Sequence, residues 1–239
     1  MTRRTIEKFY KGVAVAAAEG GKTVLLDGKP VKTPGRTVLL LPTRALADAI
    51  ADEWRAQGAQ VVPHTMPLTG LACAALDMVP GHRGQVIDHA LGFGRSDLLC
   101  YRAAVPEALA ERQAQMWDPL LAWIAQAHGV RLQSDEGVAY IEQPAGAILA
   151  LEKLVAALSD FELVAVDRAA SLTGSLVLAL ALKDGRLDAG AAFRSAQVDE
   201  DFQAATWGRD ALAEARRANM LDELGAAARL LELLAAAEA

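Results

Sequence analysis

SDLLCYRAAVPEALAERQAQMWDPLLAWI, residues 96–124, holds two of the four Trp, one of the two Cys and one of the three Tyr in the chain. It also marks the point where a turn-rich N-terminal part gives way to a part patterned almost entirely as helix. Val105-Pro106 predicts a helix start, because proline fits a first turn in which its missing N–H would be unpaired anyway. From there Leu109, Gln113, Met116, Leu120, Trp123 with Ile124, and Ala127 recur four and three apart. That spacing predicts one buried helix face with Gln113 set into its apolar stripe. Asp118-Pro119 can be read as an N-cap followed by a first helical residue, so the segment is either one kinked helix or two helices meeting at Asp118. Gly129 serves as the C-cap. So aromatic and central an element is expected to be the spine of a helical core.

Upstream, residues 8–41 read as antiparallel strands with explicit turns. Phe9–Ala18 is followed by Glu19-Gly20-Gly21-Lys22, and Thr23–Leu26 by Asp27-Gly28, a strong hairpin signal. Pro30–Thr33 leads to Pro34-Gly35, and Thr37–Leu41 closes the meander. Thr43 then caps a helix from Arg44 to Gln57 with Gly58 past its end, and Leu46, Ile50 and Trp54 form its buried face. Trp54 is thereby expected to plug this helix onto the sheet, with Val61-Val62 as an added edge strand. Helices are predicted over Leu68–Val79, stopped by Pro80-Gly81, and over Gly84–Gly94.

Downstream of the central stretch, Val130–Ile141 reads as irregular or a hairpin, and Pro144–Leu158 as a helix. Phe161–Lys183 reads as one long or broken apolar helix, followed by Ala189–Trp207 and Asp210–Leu234. The last presents Met220, Leu224, Ala227, Leu231 and Leu234 at alternating spacings of four and three. The fold class is therefore α+β: a small N-terminal β-rich domain, 1–65, with an antiparallel meander plus helix, then a larger all-helical domain, 66–239.

A length of 239 residues is one large domain or two modest ones. A formal charge of −6 argues against a general nucleic-acid binder. The average conceals an asymmetry, since residues 1–41 carry eight Lys or Arg against three acids. That basic end is either a solvated β-surface, the simpler reading, or a docking patch. Cys73 and Cys100 sit in apolar surroundings and are expected to be reduced core thiols. The start MTRRTIEKFYK has no apolar signal core, and the longest apolar run, Leu176–Leu182, is seven residues, well short of a membrane span. A soluble, cytoplasmic, monomeric protein with no nucleic-acid or membrane partner is expected.

Little in the sequence suggests catalysis. His64, His82, His89 and His128 are dispersed, and the two that could share a helix, His82 and His89, are about 10 Å apart along it, too far for one ion. Gly92-Phe93-Gly94 has no preceding strand, third spaced Gly or P-loop Lys, and reads as a helix end. No cofactor site is evident. One constellation is less bland. Phe193, Glu200 and Trp207, spaced by seven with Gln203 adjacent, lie opposite the stripe Ala191, Ser195, Val198, Phe202 and Ala205. Either both faces are buried and Glu200 pairs internally, which periodicity favours, or Glu200 and Trp207 form a contact patch.

The ordered motifs F-Y-K (9–11), L-D-G-K-P-V-K-T-P (26–34), L-P-T (41–43), E-W-x-x-Q (53–57), M-P-L-T (66–69), D-L-L-C-Y-R (97–102), Q-x-x-x-W-D-P-L-L-x-W (113–123) and D-E-D-F-Q-x-x-x-W-G (199–208) resemble a known set. They are similar to those of the assembly chaperones that handle the alpha subunit of the F-type ATP synthase catalytic head, and the resemblance spans residues 9–208. It implies a β-rich N-terminal domain, an orthogonal helical bundle and no enzymatic activity. It further implies a client, the unassembled alpha subunit, protected from aggregation until it meets the beta subunit. The family's functional acid falls on Glu200, with Asp199 and Asp201 beside it, and Phe202 stands where some relatives have Tyr. Asp199, Glu200, Asp201, Gln203, Trp207 and Phe193 are the candidate client-binding residues. Eukaryotic relatives work in the mitochondrial matrix behind a presequence that this chain is expected to lack, as a bacterial protein. The competing reading is a small-molecule enzyme with a cleft between the two domains.

Overall fold

The computed structural model describes residues 6–208 and 210–236, so Arg3 and Arg4 of the basic end lie outside the described residues. Strands β1 (Ile6–Glu7), β2 (Val13–Ala18), β3 (Gly21–Leu26), β4 (Lys29–Pro30) and β5 (Leu40–Leu41) precede helix α1 (Arg44–Arg55). β2 and β3 form the hairpin that the turn residues predict, in register from Val13↔Leu26 to Ala18↔Gly21. Asp27 and Gly28 both take positive φ, 48° and 80°, the conformation that a tight hairpin turn demands. β5 pairs with β3 at Lys22↔Leu41 and Thr23↔Leu40, while β4 takes the other end of the same edge. Thr33 and the Gly35 N–H both bond Asp77, at the end of the helix Pro67–Asp77, which fixes the Pro34-Gly35 turn.

Thr43 caps α1 through the Leu46 N–H, and Leu46, Ala47, Ile50 and Ala51 are the buried positions. The helix stops at Arg55 rather than Gln57, and Gly58 is not its cap. Gln57 is turned inward instead, donating to Glu53 O and Thr65 Oγ1 and accepting from the Val62 N–H. Trp54 is half-buried, packed against the core that sheet and helix share and edge-to-face with Tyr10. The short β6 (Gln60–Val61) pairs with β1, not with the meander.

The helical part comprises α2 (Pro67–Asp77), α3 (Val79–Arg95), α4 (Glu107–His128), α5 (Ala145–Ala156), α6 (Asp160–Thr173), α7 (Leu176–Lys183), α8 (Ala189–Ala196), α9 (Val198–Trp207) and α10 (Ala211–Ala235). Pro80 does not stop a helix; it lies in the first turn of α3, where a proline costs nothing, and the kink follows at His82. α2 has no cap of its own. Glu53 reaches across from α1 to the Leu68 and Thr69 N–H groups, a carboxylate at the positive end of a helix. α4 runs unbroken through Pro119, and its buried face is Leu109, Gln113, Trp117, Leu120 and Ile124. Trp117 thus replaces Met116 in the expected stripe, Trp123 is half-buried and Ala127 exposed. Residues 130–141 make no hairpin; β8 (Asp135–Glu136) pairs in parallel with β7 (Tyr101–Arg102) just before α4.

The buried spine is α7, not α4. All seven residues from Leu176 to Leu182 are buried. Gly174, at φ 70°, ends α6, and Ser175 caps α7 through the Leu178 N–H. Asp97, wholly buried, takes the Val177 and Leu99 N–H groups, and burial pushes its carboxyl up to about 6. α3 passes α7 closely at Gly94, where a Cβ would lie 2.8 Å from Leu151 and 3.1 Å from Leu176. One apolar core runs from Tyr10, just before β2, to Leu233 in α10.

Candidate functional site

The predicted helix over Ala189–Trp207 is two helices, α8 and α9, broken at Gln197 (φ −111°, ψ 22°). The break undoes the spacing of seven that set Phe193 beside Glu200 and Trp207. Phe193 belongs to the core at 8% exposure, covered by the Arg217 guanidinium 5.1 Å from its ring. Arg217, on α10, also donates to Gln197 Oε1 at 2.7 Å and to Asp201 at 2.6 Å. Asp199 is engaged too, accepting from the Gln113 amide at 2.7 Å.

Gln113 explains why a polar residue sits in the apolar stripe of α4. It is buried, and its carbonyl oxygen accepts the Ala103 N–H while its amide holds Asp199. One turn on, the Trp117 indole donates to Ser195 O at 2.8 Å. Arg102 lies 5.2 Å over that indole and pairs with Asp118. Three sequence motifs, around Arg102, Gln113 and Asp199, therefore converge where β7, α4, α8 and α9 meet. Gln113 was visible in the sequence as an anomaly; Arg217 carried no signal there.

With Asp199 and Asp201 held from behind, Glu200 faces outward and has no side-chain partner among the described residues. Gln203 is exposed beside it, and Trp207 leaves 80% of its surface open. The three line a groove of about 500 Å³ between α9 and the start of α10, with Glu214, Arg216 and Arg217 on the far wall. Leu212 adds a second exposed apolar side chain nearby in sequence. The acids in the first turn of α9 suit the positive end of its dipole.

The thiols are poor nucleophiles: burial pushes Cys73 up to about 11 and Cys100 to about 12. His89 and His128 each face a single aspartate, Asp167 and Asp184. No described helix is long and apolar enough to cross a membrane. An open groove of mixed acid, base and exposed indole, braced from within by a buried amide, is chemically suited to surface contact rather than to catalysis.

The comparisons with known proteins agree. The family of the ATP12 chaperone protein matches residues 7–125. The crystal structure of Atp12 from Paracoccus denitrificans superposes with a TM-score of 0.92 at 41% identity, covering 96% of this chain and 98% of that one. A variant of the same protein with an aspartate replaced by lysine matches equally well. A protein of Agrobacterium tumefaciens gives a TM-score of 0.91 at 44% identity over 95% of this chain and 86% of that one. The mitochondrial protein atp12 of Schizosaccharomyces pombe is 24% identical over 216 residues, 85% of this chain and 74% of its own length. The chain belongs to the ATP12 chaperone family: it is a chaperone of ATP synthase assembly and not an enzyme. The reading as an enzyme with an interdomain cleft is thereby corrected.

Proposed function

We propose that this chaperone binds the unassembled alpha subunit of the F-type ATP synthase through the α9–α10 groove and keeps it from aggregating until the beta subunit arrives. The observation that carries the reading is the division of labour within Asp199-Glu200-Asp201. The outer two acids hold the helix in place, and Glu200 is left facing solvent beside the exposed Trp207. An indole next to an unpaired carboxylate, on a shallow surface, suits a partner that exposes an apolar patch with basic residues around it. An unassembled subunit is such a partner, and a competitor with better complementarity can displace the chaperone without nucleotide chemistry. The test is refolding of isolated alpha subunit, followed by light scattering, with no nucleotide added. A stoichiometric amount of chaperone is expected to suppress scattering, and Glu200→Lys to lose that effect while unfolding at the wild-type midpoint. Equal scattering with and without the wild-type chaperone would refute the assignment.

A further inference from the structure

The motifs around Phe9, Lys29 and Trp54 take no part in the α9 groove, yet they meet in one recess of about 280 Å³ on the β-rich part. Its floor is aromatic. Tyr10 stands edge-to-face with Phe9 at 5.4 Å and with Trp54 at 5.6 Å, and Val31 lies buried beside them. Some of these residues have a structural duty: the Tyr10 hydroxyl donates to Trp54 O at 2.6 Å, joining the segment before β2 to α1. The side chains of Phe9, Lys29 and Lys32 make no such bond among the described residues. Phe9 leaves 68% of its surface exposed, and both lysines are exposed without a close ion pair or side-chain hydrogen bond among the described residues. The carboxylate lining the recess, Asp27, is occupied by the N–H groups of Gly12 and Lys11, which, helped by the Lys11 and Lys29 charges, hold its pKa below the ordinary value. Trp54 also carries a buried N–H with no acceptor among the described residues, an arrangement native proteins seldom leave standing.

A positive rim over an apolar floor, with its one acid bound chiefly by backbone N–H groups, leaves apolar area and positive charge open to a partner. We infer that this recess is a second docking site of the chaperone, which takes an acidic segment of the client polypeptide bearing an apolar side chain between its carboxylates. The apolar group seats against Phe9 and Trp54, and the carboxylates meet Lys29 and Lys32. The recess admits one side chain, with one exposed ring, whereas a nucleic-acid strand needs a basic track with successive stacking platforms. The proposal rests on the function proposed above only in naming the client as the source of the segment.

The experiment titrates the full-length protein with a peptide carrying Phe between glutamates, with a matched peptide carrying lysines instead, and with isolated alpha subunit. The glutamate peptide is expected to bind and to shift the Trp54 indole N–H resonance, assigned through Trp54→Phe. Its affinity is expected to fall about tenfold or more in Lys29→Glu/Lys32→Glu, whose exposed positions leave the unfolding midpoint unchanged. Phe9→Ala weakens the same peptide, Glu200→Lys does not, and the double lysine variant also weakens alpha-subunit binding. Three results would overturn the inference: equal peptide affinity in the double variant, equal binding of the lysine peptide, or a wild-type dimer that the double variant dissolves, which would put a second copy in the recess. Failure of the wild type to hold the alpha subunit counts instead against the function proposed above, because the peptide arm reads the recess by itself.

Discussion

α7 and α9 are short helices of similar length put to opposite uses. Every residue of α7 from Leu176 to Leu182 is buried, whereas Val198 is the single buried residue of α9. α7 has its first N–H groups taken by Ser175 and Asp97, both inside the protein. α9 begins with three acids, two of them tied to Gln113 and Arg217, and the third directed outward. Under the function proposed above, the difference separates stability from contact. The conformational entropy of the chain is opposed by one densely packed element, so that another can present polar and aromatic groups that contribute little to the fold.

The contrast can be broken at α7 first. Leu178→Ala removes a fully buried side chain from a site walled on all sides, so a loss of about 2–5 kcal/mol is expected in denaturant unfolding. A loss below about 1 kcal/mol would mean that the core around α7 collapses to fill the space. The cap of the same helix gives the next effect, and a sign. Burial raises the Asp97 carboxyl to about 6 in the folded state, so the folded protein holds that proton more tightly than the unfolded chain. Ionised Asp97 thus subtracts stability at neutral pH, and the deficit is recovered as pH falls through 6 toward 4. Relative to Asp97→Asn, which lacks this titration, the wild type is expected to gain about 2 kcal/mol between pH 7 and pH 4.5. Parallel pH profiles for the two proteins would show that Asp97 does not titrate in that window.

The smaller effects sharpen the comparison within α9 itself. Asp201→Asn weakens a partly exposed pair with Arg217 and is expected to cost about 1 kcal/mol in stability. Glu200→Gln, one residue earlier, is expected to change stability by less than about 0.5 kcal/mol while reducing client protection. If the two substitutions destabilise equally, the division between holding acids and contacting acid disappears.

Much of this was legible in local sequence. Asp27-Gly28 specified its turn because few residues tolerate positive φ, and Thr43 announced α1 because an N-cap needs a short side-chain acceptor. What stayed hidden was set by contacts distant in sequence. Over 22 residues a helix read in steps of three and four can slip phase, and what selects Trp117 over Met116 is a bond to Ser195, 78 positions away. Gln197 breaks a helix without Gly or Pro, and Arg217 of α10 holds its side chain there. The acids of α9 were found from sequence as a group. Which of them faces outward depends on Gln113 and Arg217, 86 residues before one acid and 16 after another. α7 was visible as an apolar run, but nothing local said that it, rather than the Trp-rich α4, would be enclosed on every side.

The Thr43 hydroxyl does more than cap α1. It also donates to Leu233 O near the end of α10, 190 residues later, where Leu230, Leu231 and Leu233 enter the shared core. A chain emerging from the ribosome therefore makes its first sheet and first helix long before the element that latches them has been synthesised. The helices that α10 packs against, α1, α2 and α6 among them, wait partly uncovered until it is made. Until α10 is made, the apolar face of α1 that it covers stays open, and a truncation just short of Leu230 is expected to leave that face exposed.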